Sequence, residues 1–220
     1  MEATGLPIGL WLYVEEVLKY LFDADIYEKA NTIMSLGLHK VLRNWVLSSV
    51  QGLILDIGCG NAAYIPYLTR KADWVVCVDP ILSNRRYSFV NLDKIVGVAE
   101  YLPFRNRAFD CATAMFSFRD FMDKARGIFQ MMTVVKKGVL ILDLFSPDYY
   151  LTPLIFFYFG YIAPFLGFLA SKGKKGRWSL LVPTLLLMPR AKFFQRIGGR
   201  VLVKKGVGLV AIGYLPPRSL

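Results

Sequence analysis

The last third of this chain has no acidic residue. Residues 149–220 carry 11 basic side chains and neither Asp nor Glu, whereas residues 1–148 carry 16 of each sign. The whole formal charge of +11 therefore sits in the final third, which suits a surface facing polyanions, either membrane phosphates or nucleic acid. Histidine is nearly missing too. His39 is the only one, which argues against a conventional zinc site, and no metal is expected. Cysteine is scarce: Cys59, Cys77 and Cys111 fall in or beside apolar runs, with no CxxC and no disulfide framework. They are expected as small buried hydrophobes in a reducing interior. The N-terminus lacks a basic n-region, and Pro7 and Gly9 interrupt its apolar patch, so no signal peptide is read and a cytoplasmic protein is expected. Internal repeats and low-complexity stretches are absent.

What is abundant is apolar surface. At 220 residues the chain has room for one full α/β domain, 1–220, and not for two comfortable ones. Hydrophobic residues make up 55% and the mean hydropathy is +0.42, more than an ordinary core accounts for.

The periodicity predicts three helices first, over 8–22, from a cap at Asp23 or Asp25 through Asn31 and Met34, and over 39–48, a lid-like region spanning 1–48. Strands and helices then alternate: strand 52–57, helix 62–71, strand 74–79, a weak strand 94–98, strand 108–115, a helix through 120–135 and strand 138–145. An apolar and basic insertion fills 149–190. Lys192–Ile197 reads as a helix, followed by strands at 200–203 and 207–214 whose short turn predicts an antiparallel hairpin. The fold class is α/β: a doubly wound, mostly parallel sheet with an antiparallel C-terminal hairpin, N-terminal lid helices and an apolar inserted segment.

The first strand carries the chemistry. Leu53-Ile54-Leu55-Asp56-Ile57 is a buried-strand pattern ending in Gly58-Cys59-Gly60-Asn61. A strand that stops in a glycine turn and feeds a helix exposes free amides to a ligand. Gly58, Gly60 and Ala63 satisfy the dinucleotide pattern, with Asp79 at ribose-acid distance. Asp56 argues the other way, because an acid there suits an ammonium and a sulfonium better than a pyrophosphate. The carboxylate of Asp79 is expected to accept both ribose hydroxyls.

Asp56–Gly60, Asp79, Ala99-Glu100-x-Leu102-Pro103-Phe104 and Phe109-Asp110 resemble class I S-adenosylmethionine-dependent methyltransferases. Tyr27-x-x-x-Asn31-x-x-Met34-Ser35-x-x-x-His39 is similar to the N-terminal signature of the ubiquinone/menaquinone C-methyltransferase family (UbiE/MenG type), and Phe116-Ser117-Phe118-Arg119-Asp120 and Phe145-Ser146 resemble two further motifs of it. The resemblance covers residues 22–148 well and the tail loosely. It implies S-adenosyl-L-methionine as cofactor, held by Asp56, Gly58, Gly60, Asn61, Asp79, Val98, Ala99 and Met115. It departs from the family at Asn61 and Ala62 in the loop, at Val98, which offers only backbone to adenine, and at Met115, Leu42 and Val139. These changes touch the substrate reading more than the cofactor reading.

Carbon methylation from a sulfonium needs an aligned ring carbon and a phenolate, and a free phenol titrates near 10. Arg119, after the fourth strand, is the candidate to stabilise that phenolate, with a salt bridge to Asp120 or Asp123 as the plainer alternative. Tyr27 and His39 are candidates to hydrogen-bond the substrate oxygens. The acceptor implied is a lipophilic molecule, a prenylated quinol for this family, and a homodimer is compatible with it.

Residues 151–170 are 20 uncharged residues, long enough to cross a bilayer. A crossing would strand the last two strands on the far side, so a segment lying on an anionic membrane is preferred, helped by Lys172, Lys174, Lys175 and Arg177. Two rivals stay open. One is an RNA methyltransferase, disfavoured by aliphatic runs such as Leu185-Leu186-Leu187 among the basic residues. The other is a non-catalytic membrane-surface protein on a degenerate methyltransferase fold.

Overall fold

The computed structural model describes residues 5–23, 27–81, 89–146, 152–170, 181–205 and 209–218. Seven strands form one sheet in the order β3-β2-β1-β4-β5-β7-β6. In sequence these are β1 (Gly52–Ile57), β2 (Ala72–Asp79), β3 (Leu92–Val96), β4 (Phe109–Met115), β5 (Val135–Leu144), β6 (Arg200–Lys205) and β7 (Val210–Leu215). The first five pair in parallel, and β7 runs antiparallel between β5 and β6. That is the doubly wound sheet with a closing hairpin expected from the alternating pattern. The chain reverses its winding between β1 and β4, and the carboxyl ends of those strands open a crevice there.

The central strands are apolar in unbroken runs because both faces are covered. Leu55, Ile57, Val76, Val78, Ala112, Ala114 and Ile141 face one layer, and Ile54, Val75, Cys77, Met115, Leu140 and Leu142 the other. The first layer is capped by α1 (Ile8–Asp23), α2 (Tyr27–Met34) and α5 (Lys124–Val134), the second by α3 (Leu38–Ser48) and α4 (Ile65–Leu68). Gly37 stops the chain between α2 and α3 at φ 79°, a conformation glycine takes without Cβ strain.

Several expected elements are shorter or shifted. The helix read at 62–71 shrinks to one turn at α4, because Ala62 sits at φ 55° in a turn closed by its N–H on the Cys59 carbonyl, and Pro66 starts the helix late. The helix read through 120–135 begins at Lys124. Residues Phe118–Asp120 form a 3₁₀ turn instead, and the Asp123 carboxylate caps α5 by accepting the Arg126 N–H at 2.9 Å. The last helix is the single turn α9 (Phe193–Arg196). Lys204 and Lys205, expected in the hairpin turn, extend β6 instead, while Gly206 of that turn, the cap at Asp25 and the basic cluster Lys172–Arg177 lie outside the described residues.

The cysteines need a correction. Cys59 and Cys77 are joined as a disulfide, with Cα atoms 6.0 Å apart. The pairing follows from topology: Asp56 on β1 is in register with Cys77 on β2, so the turn after β1 swings Cys59 over its neighbour strand. The 18-residue spacing, with no CxxC, hid a contact that only parallel pairing creates. Cys111 remains a thiol.

The segment after β5 forms one continuous helix over Thr152–Ala170, made of α6 (Thr152–Phe157), a π turn (Tyr158–Ile162) and α7 (Ala163–Ala170). Pro153, Gly160, Pro164 and Gly167 suit a bent segment better than a straight one, and the π turn widens the helix just ahead of Pro164. Phe159, Ala163 and Gly167 are buried, and the Tyr158 hydroxyl donates to the Met34 carbonyl. The other side leaves Leu154, Phe157, Tyr161, Phe165 and Leu169 more than half exposed. Among the described residues it is the one helix long and apolar enough to cross a membrane, by length and composition. A shorter helix, α8 (Leu181–Leu186), leads back towards α9.

Candidate active site at the carboxyl ends of the first, second and fourth strands

A cleft opens at the strand ends, lined by residues from the ends of β1, β2 and β4 and from α1. Its floor is the turn after β1. Gly58 is at φ 74°, and a Cβ there would lie 2.2 Å from the Ser117 Cβ, so the close crossing of the β1 and β4 loops needs glycine. The Ser117 Oγ ties that crossing by donating to the Ile57 carbonyl at 2.7 Å. Gly60, also at positive φ, gives its N–H to the Asp79 Oδ2 at 2.7 Å, and the other Asp79 oxygen accepts the Ile81 N–H at 2.7 Å. Asp79 therefore links the glycine turn to the β2 end, and its oxygens keep lone pairs for hydroxyl groups. Burial raises its pKa to about 6, although the two amides pull the other way.

Of the residues expected to hold the cofactor, Gly58, Gly60, Asn61, Asp79, Val98, Ala99 and Met115 all line this cleft. Asp56 does not. It is fully buried beneath the turn, on the β1 face that points at the α3–α4 layer, and accepts hydrogen bonds from Thr113 Oγ1 at 2.6 Å and Tyr64 Oη at 3.1 Å. The direct ammonium contact read for it is corrected to a supporting position. Burial raises its pKa to about 6 against both hydroxyls. Asn61 is the informative member. Its Oδ1 accepts the Ala63 N–H at 3.3 Å, while its buried Nδ2 has no partner among the described residues. A buried amide donor left over in a cleft wall fits a site that binds an acceptor-bearing ligand.

The three catalytic candidates are separated by the structure. Tyr27 lines the cleft and is hydrogen-bonded to Arg119. Its pKa is raised by burial, with Arg119 opposing. Arg119 itself is buried behind the wall. Its guanidinium lies 3.6 Å from Asp120 and 3.8 Å from the fully buried Asp143, whose Oδ2 also accepts the Arg119 N–H. Burial works against its charge, but the two carboxylates hold its pKa above the ordinary guanidinium value. His39 is away from the cleft wall as well, bonded through Nδ1 to Ser35 Oγ at 2.7 Å and 3.5 Å from Glu28. Direct hydrogen bonding of substrate by His39 is thereby corrected: its helix turns it toward Glu28.

Three wall residues were missed. Arg43, four residues after His39 on α3, ion-pairs with Glu28 at 3.0 Å and packs its guanidinium over the Tyr64 and Phe116 rings. It lines the cleft, and its buried Nε has no partner among the described residues. Glu28 is held down to about 2, because His39 and Arg43 together outweigh the effect of burial. Glu15 stands with Trp11 and Leu18 in one stripe of α1, and all three line the cleft. Asp120, read only as a partner for Arg119, also reaches it, with a pKa raised to about 6 by burial. The signal for Arg43 and Glu15 was present: each is a charge inside an otherwise apolar helical stripe.

A family model described as the ubiE/COQ5 methyltransferase family matches residues 12–211. The chain is 27% identical over 190 residues to the ubiquinone/menaquinone biosynthesis C-methyltransferase UbiE of Wigglesworthia glossinidia brevipalpis, covering 78% of this chain and 76% of that protein. It is 31% identical over 166 residues to a demethylmenaquinone methyltransferase of Thermotoga maritima, covering 69% and 72%. Among solved structures, a SAM-dependent methyltransferase from Aquifex aeolicus is similar with a TM-score of 0.44 and 16% identity, over 74% of this chain and 79% of that one.

Proposed function

We propose that this chain, which belongs to the ubiE/COQ5 methyltransferase family, methylates a ring carbon of a prenylated quinol. That it is an S-adenosylmethionine-dependent methyltransferase follows from the family. The cleft residues fit that cofactor: the orphaned Asn61 amide offers a donor, Asp79 offers carboxylate lone pairs beside the glycine turn, and Val98 and Ala99 offer backbone and a small apolar wall. When bound, the cofactor supplies a methyl group on a sulfonium, already activated for in-line displacement.

The chain's task is then to hold the acceptor and favour its ionised form. The observation that carries the reading is Arg43, a buried cation in the cleft wall with an Nε that no described group uses. A guanidinium there favours a phenolate over a phenol, through charge and a charge-assisted hydrogen bond. Tyr27 presents its hydroxyl to an acceptor oxygen, and Arg119 is its positioning residue, steadied in turn by Asp120 and Asp143. Trp11, Leu18 and Phe116 supply apolar walls that exclude water from the transfer.

The exposed side of the Thr152–Ala170 helix supports peripheral contact with an anionic membrane in a cytoplasmic enzyme. Leu154, Phe157, Tyr161, Phe165 and Leu169 form an apolar surface from which a prenyl tail can pass to the cleft, without the helix crossing the bilayer. In this reading 1–220 is one methyltransferase unit, 1–48 its lid and 149–190 its membrane-facing insertion, whether the chain is a monomer or a homodimer. Nucleic acid is the less favoured partner, because in the sequence the basic residues of the final third interleave with aliphatic runs such as Leu185-Leu186-Leu187.

Two measurements test this. Arg43→Gln and Arg119→Ala are expected to keep cofactor affinity within about threefold while lowering turnover on a demethylated quinol by about 10²-fold or more. Near-normal turnover in either variant rejects its assigned role. Flotation with anionic liposomes at low salt is expected to carry the protein with the vesicles, and its absence removes the membrane contact.

A further inference from the structure

Glu15 is an acid placed in an acidic corner of the cleft. It lies on α1 between Trp11 and Leu18 and lines the wall with Asp79 from the end of β2 and Asp120 from the turn after β4. The charges that act on it are those two carboxylates, and both disfavour its ionisation. The other titratable groups of the wall are Tyr27, Tyr64, Arg43 and Glu100, and the Tyr64 hydroxyl donates to Asp56 at 3.1 Å. The Arg43 charge is answered by Glu28 at 3.0 Å, and Glu100 accepts the Asp123 N–H at 3.0 Å. Behind the wall, Arg119 is committed to Asp120 and Asp143, and Lys124 donates to the Arg119 carbonyl at 2.9 Å. Among the described residues that line the cleft no cation is left for Glu15, and Lys19, one turn further along α1, is exposed and outside the cleft wall.

The two forms of the cofactor differ in one respect that such a corner reads. The methyl donor carries a sulfonium and an ammonium against one carboxylate, a net charge of +1. The product, a thioether, is neutral overall. We infer that Glu15 acts as a charge sensor for the methyl donor: it keeps a proton in the empty cleft, releases it to solvent when the sulfonium enters, and takes one back after transfer. Glu15 thus holds the donor in preference to its demethylated product. No bond other than O–H is made or broken at Glu15. The inference rests on S-adenosylmethionine as the cofactor and adds a positioning residue that the glycine turn does not contain.

Burial, then Asp120 and Asp79, place the empty-cleft pKa of Glu15 at about 8, so at pH 7.5 about three-quarters of the molecules carry the proton. Asp79 and Asp120, both near 6, are mostly ionised at that pH and have little to release. Titration calorimetry of the full chain, repeated in buffers of different ionisation enthalpy, counts the protons exchanged on binding. The expected result at pH 7.5 is release of about 0.7 proton with S-adenosylmethionine, and under about 0.2 with S-adenosylhomocysteine. Above about pH 9 the release with the donor is lost as Glu15 ionises in the empty cleft. Glu15→Gln is expected to bind both ligands without release, with the donor-to-product affinity ratio reduced about tenfold per unit of lost pKa shift. Donor binding without proton release, the same release in Glu15→Gln, or equal release with both ligands overturns the inference alone. Failure of the wild-type chain to bind S-adenosylmethionine overturns the cofactor reading together with it. The wild-type pH profile stands independently of whether the variant folds.

Discussion

Arg119 sits between two buried acids, and replacing it by Met isolates what that costs. Methionine keeps the apolar stem and removes the guanidinium from its places 3.6 Å from Asp120 and 3.8 Å from Asp143. At an effective dielectric of about 20, one such pair is worth about 4 kcal/mol, and breaking a buried pair by removing one partner costs about 3–5 kcal/mol. Lys124 is close, but its Nζ serves the Arg119 and Phe121 carbonyls and only moderates the loss. Arg119→Met should therefore lose about 3–5 kcal/mol at pH 7.5. The sign with pH is fixed. Both carboxylates already have folded pKa values raised by burial, Asp120 to about 6, and losing the cation raises them further. A raised folded pKa leaves stability intact below the unfolded value and removes it as pH climbs through the folded one. The variant's deficit should thus be smaller at pH 5 than at pH 7.5, by at least about 1.4 kcal/mol, one pKa unit for one carboxylate. Urea denaturation of both proteins at the two pH values measures it. An equal deficit at both would refute the neutralising role of Arg119 and leave only packing.

Further outcomes follow from the cleft floor. Gly58→Ala must accept φ 74° and a Cβ 2.2 Å from the Ser117 Cβ, so it should lose about 2–4 kcal/mol in denaturation and bind S-adenosylmethionine at least about tenfold more weakly. Asn61→Ala should weaken cofactor binding by about tenfold in calorimetry while costing the empty protein only about 1 kcal/mol, since among the described residues its Nδ2 has no partner to lose and its Oδ1 gives up one bond, from the Ala63 N–H at 3.3 Å. Asp56 carries a pKa raised to about 6, so it destabilises the empty protein by about 1–3 kcal/mol as pH rises from 4 to 7, and Asp56→Asn should flatten that slope in thermal melts. Denaturation without reductant should expose one reactive thiol, Cys111, and with reductant three; three in both conditions would remove the Cys59–Cys77 bond from the account.

The sheet was legible because β1 and β2 are apolar runs closed by Gly58 and by Asp79-Pro80, and the hairpin because two short strands follow each other closely, although Lys204 and Lys205, read as its turn, belong to β6. The cofactor loop was legible for the same reason: Gly58 and Gly60 stand where positive φ is needed. What escaped notice depends on contacts between elements. The side on which Asp56 emerges follows from strand pairing with Thr113, and the Cys59–Cys77 bond from the register of β1 against β2. Arg119 follows the fourth strand as its motif suggests, yet a sequence cannot show that Asp143, 24 residues on, comes back beside it. Arg43 and Glu15 were readable as charges in apolar stripes, but only packing shows that those stripes face a cleft and not a core.

The central claim is that the methyl group reaches a ring carbon of a prenylated quinol. The most direct measurement incubates the protein with methyl-labelled S-adenosylmethionine and a native lipid extract, then identifies the labelled product by mass spectrometry. The expected result is one label per quinol, on carbon and stable to ether cleavage. Label on oxygen, label only in RNA, or no transfer despite cofactor binding would contradict it.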